Sequence, residues 1–419
     1  MSPASNNEDS TGAYRRQAAV GTSTDNTTVP PLSPASPKST GYGRNVVASA
    51  TYAARWSKPA FTLNDVRNAV PAHCFKRDTA RSFRYIYADA AGMLALWALA
   101  TQFYRLPLWA AAIAWPAYWI AQGIVCTGLW VIAHECGHQA FSEKAWINNS
   151  VGYVLHSFLL VPYYSWKFTH GKHHKANAHM TKDQVFVPST RSDHKEKIGE
   201  RQEPAAPHHD EPVWADAPIA DLLNIVAMLT FGWPMYLLNN ATGQRFQEWT
   251  SHFRPTAPIF EPKQWFHVVA SDIGMGIMLA ALFLAGHIWG SAAVLKFYVI
   301  PYLNVNAWLV LITFLQHTDP QVPHFADSEW NYLLGAISTV DRDYGVLNHF
   351  FHHIGDTHVA HHIFSTMPHY HAEEATAAIK KFLGPYYLYD KTPIAKAVWN
   401  SYTTCKFVED EGDVKWFKH

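Results

Sequence analysis

The sequence has little charge and few cysteines for a chain of its length. Only 16% of the 419 residues are charged, whereas soluble domains carry ~25%. The 33 Lys and Arg balance the 33 Asp and Glu, which argues against a nucleic-acid binder that works through a large basic surface. The four cysteines are scattered without paired spacing, which excludes a disulfide-stapled secreted fold.

Uncharged runs are long, and aromatic residues reach 14% of the chain. Five stretches approach or reach the ~20 residues that span a bilayer as a helix. They are approximately 85–104, 106–133, 222–239, 265–289 and 297–316. The combination of low charge, many aromatic residues and apolar runs indicates a protein that lies in lipid.

These runs predict an all-α integral membrane protein with four transmembrane helices in two hairpins, at about 85–133 and 265–316. The run 151–164 is too short to cross, and 222–239 is interrupted by glycine and proline, so both are predicted to be interfacial. The remaining predicted parts are a polar, disordered N-terminal tail (1–61), a membrane domain (62–388) that ends in a helical cap (317–388), and a C-terminal tail (389–419).

A basic segment precedes the first apolar run. From Arg44 to Arg84 it contains eight Lys or Arg and two acids, so the positive-inside rule predicts a cytosolic N-terminal side. With two complete hairpins, both termini and the cap are then expected on the same, cytosolic side of the membrane.

Histidine is unusually abundant, with 25 residues, and eight of them form three clusters with close, regular spacing. They read His134-Glu-Cys-Gly-His138, His170-Gly-Lys-His173-His174 and His358-Val-Ala-His361-His362. By composition, H-x-x-H-H should occur roughly 0.1 times in this chain. The sequence contains it three times, because His349-Phe-Phe-His352-His353 also matches, and composition alone does not decide which of the last two clusters binds metal.

Imidazoles three or four residues apart lie on one face of a helix and can bind the same metal ion. The first cluster directly continues the second apolar run, and His317 ends the fifth run in a similar way. His317 is therefore a candidate ninth ligand beside the eight clustered histidines. Nine imidazoles are more than one ion needs, which favours a site for two metals.

Two other classes of protein fit parts of this pattern. His134-Glu-Cys-Gly-His138 matches the H-E-x-x-H motif of zinc proteases, with Glu135 as general base, but this leaves the other clusters unexplained. A metal transporter should carry its ligands inside the crossing helices, whereas these histidines flank apolar cores.

The three histidine clusters, called boxes below, resemble in their order those of membrane-bound fatty-acid desaturases. Together with the segment from His358 to His371, they are most similar to the oleate Δ12 branch. Three further segments of this chain also resemble that branch: Pro71-Ala-His-Cys-Phe75, Asp183-Gln-Val-Phe-Val-Pro188 and Asp341-Arg-Asp-Tyr-Gly345. The resemblance covers about residues 62–388.

This resemblance implies an enzyme of the endoplasmic reticulum membrane that uses two non-haem irons and O2 to introduce a double bond at Δ12 of oleoyl chains. Electrons would come from cytochrome b5 and its NADH-dependent reductase, and since no His-Pro-Gly-Gly haem motif is present, the donor is expected to be a separate protein. An ω3 or dual Δ12/ω3 desaturase and a fatty-acyl hydroxylase remain alternatives.

The resemblance also assigns site residues. It implies nine iron ligands: His134, His138, His170, His173, His174, His317, His358, His361 and His362. His349, His352 and His353 become neighbours of the site, and Thr313 stands where structurally known relatives carry an Asn that supports a water ligand. Metal-bound imidazoles are usually oriented by carboxylates, for which Glu135 and Asp356 are the candidates.

Overall fold

The computed structural model describes residues 56–197 and 217–419. Most of the predicted N-terminal tail, 1–55, lies outside the described residues. The last part of that tail, 56–61, packs onto the folded chain. The ring of Trp56 lies 5.9 Å from that of Phe325, and the ring of Phe61 lies 5.5 Å from that of Tyr386.

The described chain is mostly helical, as predicted. Its α-helices are α1 (Leu63–Ala69), α2 (Thr79–Ala100), α3 (Leu108–Gly137), α4 (Ala145–Phe158), α5 (Tyr163–Ala176), α6 (Arg191–Lys197), α7 (Pro218–Asn239), α8 (Trp265–Trp289), α9 (Ser291–Val294), α10 (Ile300–His317), α11 (Tyr332–Ile337), α12 (Leu347–Phe350), α13 (His358–Ile363), α14 (Ala372–Leu383) and α15 (Ile394–Thr404). Short 3₁₀ turns occupy Ala72–Phe75, Phe103–Arg105, Pro262–Gln264, His369–His371 and Gly384–Tyr386, and one π turn occupies Leu295–Val299.

The strands are only two residues long. Strand β1 (His324–Phe325) pairs antiparallel with β4 (Val414–Lys415), and β2 (Asp341–Arg342) pairs parallel with β3 (Tyr389–Asp390). Within 56–197 and 217–419 they form no closed sheet.

Four helical segments are long and apolar enough to cross a membrane: Leu108–Gly137, Pro218–Asn239, Pro262–Trp289 and Ser291–His317. The number agrees with the predicted four, but the set differs. It includes Pro218–Asn239, where 222–239 was predicted to be interfacial, and it omits α2, whose first half carries Arg81, Arg84 and Asp89. The interfacial assignment of 222–239 stays a prediction.

Helix α2 and helix α3 pack against each other after a short turn at residues 101–107, and form the first predicted hairpin. Helix α2 begins earlier than predicted because the Asp78 side chain accepts a hydrogen bond from the Arg81 N–H and caps the helix. The second predicted hairpin turns at Gly290, whose φ of +88° is a conformation that favours glycine.

Helix α3 lies at the centre of the membrane part and packs against α2, α4 and α10. In lipid, close packing of helices replaces the hydrophobic effect as the main attraction, so small residues are needed at the contacts. A Cβ atom at Gly123 would lie only 2.4 Å from Asn304 Cβ, so glycine permits the close approach of α3 and α10. This contact fixes the two helices whose last turns carry His134 and His317.

The C-terminal segment 389–419, predicted as a tail, is folded. Ala397 and Val398 of α15 are buried against Ile225 of α7 and Leu315 of α10. Strand β4 further attaches the segment through its pairing with β1. A short amphipathic helix of this kind has too little apolar length to stand out in the sequence.

Candidate metal centre

The first box lies at the end of α3. His134 is in the last turn of the helix, and His138 is the residue that caps it. A spacing of four residues places both imidazoles on the same face. Their Nε2 atoms are 3.2 Å apart, and His134 is buried.

The second box lies on α5, which runs past the end of α3. His170 and His174 share one face of the helix, with Nε2 atoms 3.1 Å apart. His170 Nε2 also lies 2.9 Å from His134 Nε2, so the first and second boxes meet directly. His173 is on a different face of α5 and packs against His317, with ring centroids 4.7 Å apart.

The third box forms the short helix α13, all of which is buried. His358 Nε2 lies 3.1 Å from the Nε2 of His317, at the end of α10. The ring of His362 lies 5.0 Å from that of His317, whereas His361 faces His134 at 4.6 Å.

The nine predicted ligands therefore separate into two groups. Group A contains His134, His138, His170, His174 and His361, with one nitrogen of each residue within 4.8 Å of the others. Group B contains His173, His317 and His362, which meet the same criterion, and His358, which contacts His317. The rings of His174 and His362 stack at 4.0 Å where the two groups meet.

The H-x-x-H-H pattern explains this division. On α5 the first and last histidines of the box face group A, and the middle one, His173, faces group B. On α13 the arrangement is reversed, because His358 and His362 face group B and His361 faces group A. The last two histidines of each box are neighbours in sequence and so lie ~100° apart around the helix axis, which directs them to different groups and lets each helix supply both.

The spacing of the nitrogens suits bound metal ions. Two nitrogens held at ~2.1 Å from one ion and at right angles are ~3.0 Å apart, close to the 2.9–3.2 Å between the Nε2 atoms of neighbouring histidines. The buried Nε2 atoms of His361 and His362 have no hydrogen-bond partner in the described chain. Buried polar atoms without partners are costly, which a bound ion would relieve.

The protonation states are also those of ligands. Burial lowers the pKa of His170, His174 and His362 well below the usual value, and lowers the pKa of His361 to about 3. These imidazoles are therefore neutral at physiological pH, the form that binds a metal.

Glu135, predicted to orient a ligand, lies beside two members of group A. Its Oε1 atom is 3.4 Å from His134 Nδ1 and 3.7 Å from His361 Nδ1. The Oε2 atom accepts a hydrogen bond of 3.0 Å from the His369 backbone N–H. This buried position behind the imidazoles suits an orienting carboxylate and does not suit the general base of a zinc protease, which must reach a water on the open side of the metal.

Asp356, the other predicted carboxylate, pairs with His353 Nδ1 at 3.2 Å. The carboxylate beside group B is Asp183, which is not among the predicted carboxylates. Its Oδ1 atom lies 2.8 Å from His173 Nδ1, and both side chains are only 1% exposed. The available signal was that Asp183 begins the segment Asp183–Pro188, which resembles the Δ12 branch.

The additional H-x-x-H-H sequence lies outside groups A and B. His352 Nε2 is 2.8 Å from Asp89 Oδ2, and His353 also approaches Glu373 at 3.3 Å. His349 is exposed. His352 and His353 have φ values of +49° and +61°, so this box does not continue as a helix and its members do not share one face.

An apolar cavity leads to both groups from between α3, α7 and α10. Its walls include Trp130, Val131, Met228, Gly232, Trp233, Leu309, Val310 and Thr313, and its inner end is lined by His134 and His170 of group A and by His173, His317 and His358 of group B. The Thr313 hydroxyl, in the place of the relatives' Asn, donates a 2.8 Å hydrogen bond to the Leu309 carbonyl.

Fold and site thus define a class of protein. It is a helical membrane protein whose apolar cavity ends at a histidine cluster suited to two metal ions. The fatty acid desaturase profile matches residues 107–393, more than half of the chain. The chain belongs to the fatty acid desaturase family, and its relatives group it with the Δ12 oleate desaturase branch.

The similarity extends over most of the chain. A Delta(12) fatty acid desaturase of Mortierella isabellina is 52% identical over 376 residues, which cover 88% of this chain and 94% of the relative. A Delta(12)-oleate desaturase of Trichosanthes kirilowii is 46% identical, with coverage of 85% and 93%. An omega-6 fatty acid desaturase of the endoplasmic reticulum from Brassica juncea is 44% identical, with coverage of 84% and 89%.

Proposed function

We propose that this protein converts oleoyl chains to linoleoyl chains by introducing a cis double bond at the Δ12 position. The single observation that carries the proposal is the apolar cavity whose inner end is lined by histidines of both groups. The names of the relatives, Delta(12) fatty acid desaturase and Delta(12)-oleate desaturase, specify the position of the double bond.

The balanced reaction takes two hydrogens from neighbouring CH2 groups and combines them with O2, two electrons and two protons, to give a CH=CH bond and two waters. We propose that groups A and B each hold one iron ion, through the nine histidines named above. Bound iron supplies the oxidising power that an unactivated C–H bond requires, which acid–base side chains do not provide.

The side chains of this protein would position the substrate and exclude water from the reaction. The cavity wall between Trp130, Trp233 and Leu309 is apolar, so an acyl chain would displace water on entry. Fixing the chain there would hold one C–C bond beside the two groups, which is how positioning contributes to rate. Glu135 and Asp183 would keep the imidazoles in the required orientation.

The electrons are proposed to come from cytochrome b5, reduced by its NADH-dependent reductase. We propose the endoplasmic reticulum membrane as the location, because the name of the Brassica juncea relative gives this compartment for that protein. The basic flank Arg44–Arg84 favours a cytosolic orientation of the termini and of the histidine boxes.

Expression in a host that makes only monounsaturated fatty acids tests the proposal. We expect an 18-carbon diene with double bonds at carbons 9 and 12, mapped by mass spectrometry, and no diene with a His173→Ala variant expressed at the same level. An 18:3 product would instead favour ω3 or dual activity, and a hydroxylated chain would change the reaction class. Separate analysis of phosphatidylcholine and acyl-CoA pools would identify the acyl carrier.

A further inference from the structure

A third cluster of metal-binding side chains lies outside groups A and B. It consists of His73, Cys74, His371 and Glu374, which each place one ligand atom within 4.8 Å of the others. Among the residues that the structure describes, it is the one such cluster that contains a cysteine. Neither the desaturation reaction nor the nine-histidine centre uses these residues.

Two rigid parts of the fold bring the four side chains together. Cys74 lies in the 3₁₀ turn Ala72–Phe75 and is fully buried against a core that includes Ala375 and Ile379 of α14. His371 ends the turn that precedes α14, and Glu374 is in the first turn of that helix. A spacing of three residues places His371 and Glu374 on the same side of the chain.

The distances are close to those of a four-coordinate ion. Cys74 Sγ lies 3.8 Å from His73 Nε2, and His73 Nε2 lies 2.8 Å from Glu374 Oε2. Around tetrahedral zinc, with bonds of ~2.0–2.3 Å, neighbouring ligand atoms are about 3.3–3.7 Å apart. The His73 and Glu374 side chains, both about half exposed, need to separate by only ~0.6 Å to reach this geometry.

The surroundings of the cluster favour a protonated thiol and a neutral imidazole. Burial, followed by the charge of Glu374, raises the pKa of the Cys74 thiol to about 11. Burial, followed by Arg81 and His73, lowers the pKa of His371, which favours the neutral imidazole that binds metals. Arg81 itself stacks on Tyr370, with its guanidinium carbon 4.2 Å from the ring centre.

We propose that His73, Cys74, His371 and Glu374 bind one zinc ion that has a structural role. A sulfur, two imidazoles and a carboxylate are the donor types that zinc accepts in tetrahedral sites. On binding, the Cys74 S–H bond breaks, a sulfur–zinc bond forms and the proton leaves to solvent. The thiolate and the carboxylate then balance the two charges of the ion.

The ion would fasten the turn Ala72–Phe75 to the segment 369–374. This segment also contacts the carboxylate beside group A, because the His369 backbone N–H donates to Glu135. The proposed zinc would thus support the wall behind one iron group without contact to the substrate cavity. The site is independent of the proposed regiochemistry of the enzyme.

The test measures zinc and iron in the purified, full-length, detergent-solubilised protein by mass spectrometry after dialysis against a weak chelator. We expect about one zinc per chain in addition to iron. Cys74→Ser and His371→Ala should each lose the zinc and retain the iron, with a lower thermal unfolding temperature. Cys405→Ser and His349→Ala are the matched controls, and should keep both metals.

Cobalt replaces zinc to identify the sulfur ligand. Wild-type protein loaded with Co²⁺ should show a thiolate-to-cobalt charge-transfer band that is absent from Cys74→Ser, since groups A and B contain only histidine. Glu374→Gln, a milder change, should weaken zinc binding if the other variants fail to fold. The proposal is overturned if the wild type binds no zinc on addition of ZnCl2, or if zinc and the cobalt band are the same in wild type and variants. Since iron and desaturation are measured separately, failure here leaves the proposed activity untouched.

Discussion

Groups A and B are built from the same boxes but are supported differently. In group B the His173 Nδ1 atom is 2.8 Å from Asp183, a buried carboxylate that also accepts a 2.9 Å hydrogen bond from the Val185 N–H. In group A the nearest approaches of Glu135 to imidazole nitrogens are longer, at 3.4 and 3.7 Å. Group A instead takes two histidines from the end of the long helix α3. Group B therefore depends more on a side-chain contact, and group A more on a rigid helix.

The largest expected effect comes from removing a proposed ligand of group B. His173→Ala should leave the protein inserted in the membrane but reduce linoleate formation to background, because the iron proposed for group B would lose one of its four imidazole ligands. Product analysis by mass spectrometry, with immunoblotting of the membrane fraction, checks both parts. His349→Ala, an exposed histidine of the additional H-x-x-H-H sequence, is the control and should remain active. Normal desaturation by His173→Ala would refute its role as a ligand.

Asp183→Asn tests the support of group B without removing a ligand. Loss of a carboxylate that orients a metal-bound histidine typically costs ~10–100-fold in metal affinity or activity. We expect a loss in this range, with a lower iron content measured on the purified protein. Glu143→Gln changes an exposed carboxylate and should have no effect on either quantity. Unchanged iron and activity in Asp183→Asn would show that the short contact to His173 contributes little.

Both groups line the same cavity. A substitution of Gly232 in the cavity wall tests the cavity without changing a residue of either group. A Cβ atom at this position would already lie 3.4 Å from Val310, so Gly232→Leu should fill part of the cavity. The leucine side chain would occupy space that the acyl chain needs, and ~1.4 kcal/mol of lost transition-state binding corresponds to tenfold in rate. Activity on oleoyl chains should fall roughly tenfold at unchanged iron content.

Gly276→Leu provides the matched control for the cavity variant. Gly276 also lies in a long apolar helix, α8, but a Cβ atom there meets no other atom within 4 Å. This variant should desaturate oleoyl chains at the wild-type rate. Equal losses in both glycine variants would indicate a general effect on the membrane helices and would contradict the cavity as the substrate site.

The smallest effect is expected for Glu135→Gln in group A. At 3.4 and 3.7 Å its contacts to the imidazoles exceed the length of a good hydrogen bond, and glutamine can still accept from the His369 N–H. We expect a loss below ~10-fold, less than for Asp183→Asn. Measuring both variants side by side under one set of conditions ranks the two carboxylates. A larger loss in Glu135→Gln would reverse the comparison between the groups.

The sequence was sufficient to find the histidines that meet in space. The boxes were recognisable because spacing along a helix is a local property, and His317 because it ends an apolar run as His134 nearly does. Glu135 lies inside the first box, so its place beside His134 also follows from the local sequence. The two hairpins followed from the length of the apolar runs.

Other parts depend on contacts between segments that no local pattern specifies. Asp183 reaches His173 because the chain reverses after α5, with Ala178 at a φ of +59°. The division of the boxes between groups A and B depends on how α5 and α13 face each other. The fold of α15 depends on a surface of α7 and α10 that exists only after these helices have packed.

Helices α5 and α13 each supply histidines to both groups, and this affects how the protein would bind its metals. An ion bound by either group would connect the same two helices. Because this orders the histidines of the other group as well, the second ion would bind with a smaller loss of conformational entropy. Loading should consequently be cooperative, with few chains that carry a single iron at intermediate supply. Titration of metal-depleted protein followed by native mass spectrometry would count these species directly.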